Sequence, residues 1–148
     1  MNEMLKGINN LDELLEKLGM DYIIFEQNLF SLARHFSKNY DGAIWESNIV
    51  LDENGEKING FYLSLDDNKE YLLRNSPNEL MFNSLKSKTF ALVVFSMTTN
   101  YVGYKFLELG KTKSAEIIFE LNHFIRNNIE IILDEDEEEL VKFFKFID

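Results

Sequence analysis

Apolar positions along the chain change period twice. From residue 11 to residue 36 they recur at three and four: Leu11, Leu14, Leu15 and Leu18, then Phe25, Leu29, Leu32, Ala33 and Phe36. That spacing lines one face of a helix. Asn10 is placed to cap a first helix over 11–18, with Asp12 and Glu13 in its first turn, where acids complement the dipole, and Gly19 ends it. Asp21 is placed to cap a second helix running to about Lys38. Asn39, Tyr40, Asp41 and Gly42 then form a turn cluster.

The period next shortens to two. Residues 43–46 and 48–51 are β-prone, and 52–57 carry an Asn-Gly hairpin signal at Asn54 and Gly55. The return strand spans 58–65, with Phe61, Leu63 and Leu65 on one face and Tyr62 and Ser64 on the other. Residues 66–68 make a second turn, 71–74 read as a third strand, 75–78 break the chain at Pro77, and 79–82 allow a short edge piece.

Helical spacing then returns. A helix beginning at Ser84 or Ser87 runs to about Leu109 and stops at Gly110; its centre is apolar on every side, which places it in the core. Residues 113–127 form another helix, with Ile117, Ile118, Leu121, Phe124 and Ile125 as the buried stripe. Residues 129–133 fit either a helical continuation or a short extended segment. A last helix follows the acidic run and carries Phe143, Phe144 and Phe146. Two helices, a small antiparallel meander of about three strands and three further helices predict an α+β fold, one domain over 1–148.

Composition narrows what such a fold does. The 148 residues include no cysteine, so disulfides and thiolate chemistry are excluded. A reducing, cytoplasmic setting is expected, since the first residues lack a basic start followed by an apolar core. The longest apolar stretch, 90–97, extends to 106 only through Gly103 and Lys105. It falls short of the ~20 apolar residues of a membrane span, so no membrane association is expected. The formal charge is −11, with the bases scattered. Direct nucleic-acid binding is disfavoured, because it needs clustered Lys and Arg to release counterions. The same charge favours a basic protein partner, or serves solubility alone.

Catalytic chemistry is sparse. There is no nucleophilic serine between glycines and no phosphate-binding glycine loop. His35 reads as a basic side chain near a helix C-terminus. Glu120 and His123 have the i, i+3 spacing of carboxylate-bridged metal bundles but lack the second such pair. No cofactor, no metal and no enzymatic activity are expected. The most unusual local feature is the unbroken acidic run Asp134, Glu135, Asp136, Glu137, Glu138 and Glu139. It reads as a solvated helix start, a contact for a basic partner, or a weak cation site. Asp52 and Glu53 in the hairpin turn and Asp66 and Asp67 in the second turn are further candidates for partner contact. Trp45 reads as core; if exposed it would be an interface anchor.

Several segments, taken in order, resemble the ArdB/KlcA antirestriction family. A helix ending in Arg34 leads into Tyr40, Gly42 and Trp45, similar to the family's Tyr-x-Gly-Gly-x-Trp turn and strand, with Ala43 where a second glycine is usual. Gly60, Phe61 and Tyr62 follow Asn59, similar to the family's Asn-Gly-Gly-Phe-Tyr strand with one glycine fewer. Residues 87–96 take the place of the family's Ser-Ala-Asp-Ala-Ala-Gly helix, and the chain ends in Ile147 and Asp148 like the family's Ile-Asp terminus. The match spans roughly 22–148. The family's Leu-Pro-Arg-x-Phe-Gly segment has no counterpart here, and the hairpin from Ser47 to Lys57 is longer than usual. The resemblance implies a non-enzymatic protein of a plasmid, phage or other mobile element that blunts host type I restriction-modification. Its expected partner is a host defence protein or nuclease complex with a basic surface. An acidic immunity protein that neutralises a cognate toxin nuclease fits the same composition.

Overall fold

The computed structural model describes residues 3–73, 84–134 and 136–147. Among these the fold is α+β: five α-helices, two short 3-10 turns and two antiparallel strand pairs. Helices α1 (Leu11–Leu18) and α2 (Tyr22–Phe36) precede strands β1 (Trp45–Leu51), β2 (Lys57–Leu65), β3 (Glu70–Leu72) and β4 (Ser84–Lys86). Helices α3 (Ser87–Glu108), α4 (Thr112–Ile132) and α5 (Glu137–Ile147) complete the order. The sequence signals at 75–78 and 79–82, and Arg74 of the expected third strand, lie outside the described residues.

Helix α1 begins as its sequence predicts. Asn10 accepts a hydrogen bond from the Glu13 N–H at 2.8 Å, and the Glu13 carboxylate returns to the Asn9 N–H at 2.9 Å. The first bond satisfies a helix-end donor, and the second ties the residue before the cap to the first turn. Asp21 behaves differently from its expected capping role. A 3-10 turn over Gly19–Asp21 runs straight into α2, so Asp21 has helical dihedrals and makes no cap. Its carboxylate instead crosses to α4, pairing with Lys111 at 2.9 Å and accepting from the Ser114 hydroxyl at 2.7 Å. Both bonds favour the ionised form and hold its pKa below the ordinary carboxylate value.

Helix α3 is the axis of the core. Phe90, Ala91, Leu92, Val93, Val94 and Phe95 are all buried, because α2, α4, α5 and β2 pack around it. Phe95 meets Phe25 of α2 edge-on and stacks on Phe61 of β2, with centroids 6.1 Å and 5.7 Å away. Its buried polar side chains divide: the Ser87 and Thr89 hydroxyls of the first turn find no partner among the described residues, whereas others further along are bonded. The Thr98 hydroxyl donates to the Val94 carbonyl, and the Asn122 amide of α4 donates to the Ser96 carbonyl at 2.8 Å. Helix α4 runs on through Ile132, which resolves the ambiguous 129–133 segment as helix: Ile129, Ile132 and Leu133 extend the buried stripe.

The strands depart from a continuous meander. Strands β1 and β2 form a hairpin from Trp45 opposite Leu65 to Leu51 opposite Lys57, with a register shift between Asn48 and Val50. Strand β3 pairs with β4 instead of β2. Its other edge is taken by the chain leaving α2: Ser37 bridges Leu73, and the Lys38 N–H donates to the Leu72 carbonyl at 2.7 Å. That pairing is why α2 stops at Phe36, short of Lys38. The Asn39 carboxamide extends it, donating to the Glu70 carbonyl and accepting from the Leu72 N–H, both at 2.9 Å. No helix among the described residues is long and apolar enough to cross a membrane.

Candidate partner-binding site

The acidic residues separate into anchored and free groups. In the run before α5, Asp136 caps the helix by accepting from the Glu139 N–H at 3.1 Å, and pairs with Lys86 at 2.8 Å. The Lys86 ammonium, first of these causes, and the helix N–H hold the Asp136 pKa below its ordinary value. Glu139 is 2 % exposed; it accepts from the Lys86 backbone N–H at 2.7 Å and pairs with Lys142 at 3.2 Å. Asp134, Glu137 and Glu138 are exposed. Glu138 has one loose partner, Lys142 at 3.6 Å. Glu135 lies outside the described residues. The run is therefore a helix start in which Asp136 and Glu139 hold the fold and Asp134, Glu137 and Glu138 face outward.

The two turns divide the same way. Asp52 organises the hairpin loop by accepting from the Asn54 and Glu56 N–H groups at 2.8 and 2.9 Å, which leaves Glu53 exposed at the tip. Asp66 exchanges two 3.1 Å hydrogen bonds with Ile44 and prolongs the hairpin. Asp67 accepts from the buried Tyr71 hydroxyl at 2.6 Å. Asp52 and Asp66, which is paired with Ile44, lie at opposite ends of the β1–β2 ladder, about 26 Å apart at 3.3 Å per residue. The Asp67 end shares a cleft with Lys86 and Lys88, and those lysines also border the acids before α5. The structure thus brings the second turn and the acidic run to one side of the molecule. The hairpin tip stands apart.

The residues that carried the family resemblance form part of one frame. Trp45 is half-buried, and its indole N–H donates to the Tyr40 hydroxyl at 3.0 Å across the turn made by Gly42, whose φ is +89°. Gly60 has φ +118°, and a Cβ there would sit 2.6 Å from the Phe124 ring, so β2 approaches α4 only without a side chain. Phe61 is buried against Phe95. Tyr62 is half-buried beneath the Lys88 ammonium, 5.9 Å from the ring centre. Ile147 borders a groove with Leu32, Met97 and Tyr101. Asp148 lies outside the described residues.

Sequence reasoning did not single out the cleft beside Trp45. Leu11, Phe30, Tyr40, Ala43, Ile44 and Trp45 give it an apolar lining, with Glu26, Arg34 and Asp41 as its charged members. Its volume is about 630 Å³. The signal was present as Glu26, Phe30 and Arg34 at i, i+4 and i+8, one stripe of α2. His35 stands exposed at the end of α2, edge-on to Phe36. His123 is exposed midway along α4, in a shallow polar pocket with Glu3, Asn59 and Asn127. Among the described residues no three His, Asp or Glu side chains converge on a common metal position. No protein-family model matches the chain, and no curated protein matches it.

Proposed function

We propose that this protein is a non-enzymatic anti-defence inhibitor. It binds a protein target, a type I restriction-modification complex or a related host nuclease assembly, and prevents DNA cleavage. The observation that carries this reading is the division of the acidic residues. Asp136, Glu139, Asp66 and Asp67 are tied into the fold, and the outward acids Asp134, Glu137, Glu138 and Glu53 remain for a basic surface. Complementary charge of this kind steers association and selects partners. The ordered, family-like residues Tyr40, Gly42, Trp45, Gly60 and Phe61 support the direction of the assignment toward antirestriction.

Co-purification tests it. The tagged protein is expressed in cells carrying a type I system, and the restriction subunits are sought in the eluate at low and high salt. Retention at low salt that weakens as salt is raised supports the reading, since exposed charge pairs are screened beyond a Debye length of about 8 Å at physiological ionic strength. Absence of those subunits, with a single toxin nuclease recovered from the native host instead, transfers the reading to an immunity protein.

A further inference from the structure

We infer that Asn54, at the tip of the β1–β2 hairpin, is a site of spontaneous deamidation whose rate is set by Asp52. Asn59, in the same kind of dipeptide, is protected by the fold. Neither statement depends on what the acidic surfaces bind.

The chain contains Asn-Gly at 54–55 and again at 59–60. In such a step the glycine nitrogen attacks the carbonyl carbon of the asparagine side chain. The new N–C bond closes a cyclic imide, and the bond to the carboxamide nitrogen breaks. That nitrogen leaves as ammonia, taking the proton of the glycine nitrogen. Water then opens either imide carbonyl and leaves an aspartyl or an isoaspartyl residue. Glycine favours the attack because it has no Cβ in the way and the freest dihedrals.

The two sites offer this chemistry opposite surroundings. Asn54 and Gly55 are exposed, and open space lies where a Cβ of Gly55 would stand, so the imide has room. Only Asp52 restrains them. Its carbonyl accepts from the Gly55 N–H at 3.0 Å, and its carboxylate accepts from the Asn54 and Glu56 N–H groups at 2.8 and 2.9 Å. The Gly55 nitrogen attacks when this turn opens, and an exposed loop opens at far lower free energy than a core strand. Gly60 is buried, and a Cβ there would stand 2.6 Å from the Phe124 ring. The flanking residues Ile58 and Tyr62 are paired with Val50 and Asn48 of β1. Ring closure at Asn59 therefore requires β2 to leave α4, and its rate follows global unfolding.

Conversion of Asn54 adds one negative charge beside Glu53 on a chain whose formal charge is −11. The isoaspartyl product also adds a methylene to the loop backbone. The outward tip of the hairpin thus changes in charge and shape as the protein ages.

The folded protein is incubated in mildly alkaline buffer made with ¹⁸O-water, and a second sample is incubated in the same buffer with guanidinium chloride. Digestion follows in ordinary water. Trypsin cleaves after Lys57, which puts the two asparagines in separate peptides for mass spectrometry. Each site's folded rate is divided by its own unfolded rate. The ratio for Asn54 should exceed that for Asn59 by about tenfold or more. A ratio for Asn54 no greater than that for Asn59 overturns the proposal, and this comparison needs no variant. D52A, checked as folded by its thermal unfolding, should convert Asn54 severalfold faster than wild type. Conversion by folded D52A at the wild-type rate overturns the control assigned to Asp52.

Discussion

The carboxylate of Glu139 accepts a hydrogen bond from the backbone N–H of Lys86 at 2.7 Å, across 53 residues of sequence. Lys86 is the residue from which α3 starts, and it has no side-chain cap of its own. Glu139 thus places a negative charge at the positive end of the central helix and is itself neutralised by Lys142. One acid of the run fixes α5 against α3 and β4. Replacing it by alanine removes the acceptor of the Lys86 N–H and the nearer of the two carboxylates beside Lys142. E139A should lose about 2–4 kcal/mol of stability. E139Q, which keeps an acceptor, should lose less, and E137Q should stay within about 0.5 kcal/mol of wild type. Urea unfolding of the three variants measures the order.

Gly60 meets two constraints at once, a positive φ and the Phe124 ring where a side chain would go. G60A should be destabilised by at least about 2 kcal/mol, more than the ~1 kcal/mol expected for G55A in the hairpin loop. Gly55 also has a positive φ, but open space where its Cβ would lie. The double variant G60A/F124L should recover part of the loss and not all of it, because the smaller residue relieves the clash and leaves the dihedral strain. Thermal unfolding of the set separates the two contributions.

Tyr40 and Trp45 are joined by one hydrogen bond. Y40F removes the acceptor and leaves the half-buried indole N–H unpaired, at a cost of about 1 kcal/mol. The indole N–H resonance of Trp45 should shift on this substitution, and it is assigned without ambiguity because no second tryptophan exists. An unchanged resonance contradicts the bond.

The ionisable groups define both ends of the stability profile. Asp21 and Asp136 have folded-state pKa values below the ordinary 3.8, held there chiefly by the Ser114 hydroxyl and the Lys86 ammonium. A depressed carboxylate pKa gives stability that is full above the unfolded value and is lost as pH falls through the folded one. Stability should therefore decline below about pH 4, and D21N and D136N should each show a shallower acid limb. At the other end, burial pushes the Tyr22 hydroxyl from 10.0 up to about 12, and burial also raises Tyr62 and Tyr71. A raised phenol pKa gives stability present below the unfolded value. It should disappear as pH climbs from 10.0 through about 12. Thermal unfolding across the pH range tests both limbs.

Much of the fold is legible in local patterns. The leucine spacing over α1 with Asn10 before it, the all-apolar centre of α3 and the Asn-Gly loop between β1 and β2 each specify their element without distant help. Elements that depend on remote partners are not legible. The end of α2 follows from Ser37 pairing with Leu73, and β3 leaves the meander because Ser84, Leu85 and Lys86 offer it a second edge. The acidic run reads uniformly as six like charges. Its division into anchored and outward residues depends on Lys86 and Lys142, which reach it only in the folded chain. Arg34 and Trp45 come to one cleft because the turn at Gly42 folds β1 back beside α2, a relationship that no helix or strand period encodes.

The most direct test of the account is the plating efficiency of unmodified phage on cells carrying a type I restriction system, with and without this protein. Restored plating is predicted for wild type and for H35A/H123A, which removes every histidine of the chain. D134N/E137Q/E138Q should lose the effect while remaining folded. Plating that stays restricted with the wild-type protein abundant and folded contradicts an antirestriction role, and loss of the effect in the histidine variant alone contradicts a non-enzymatic one.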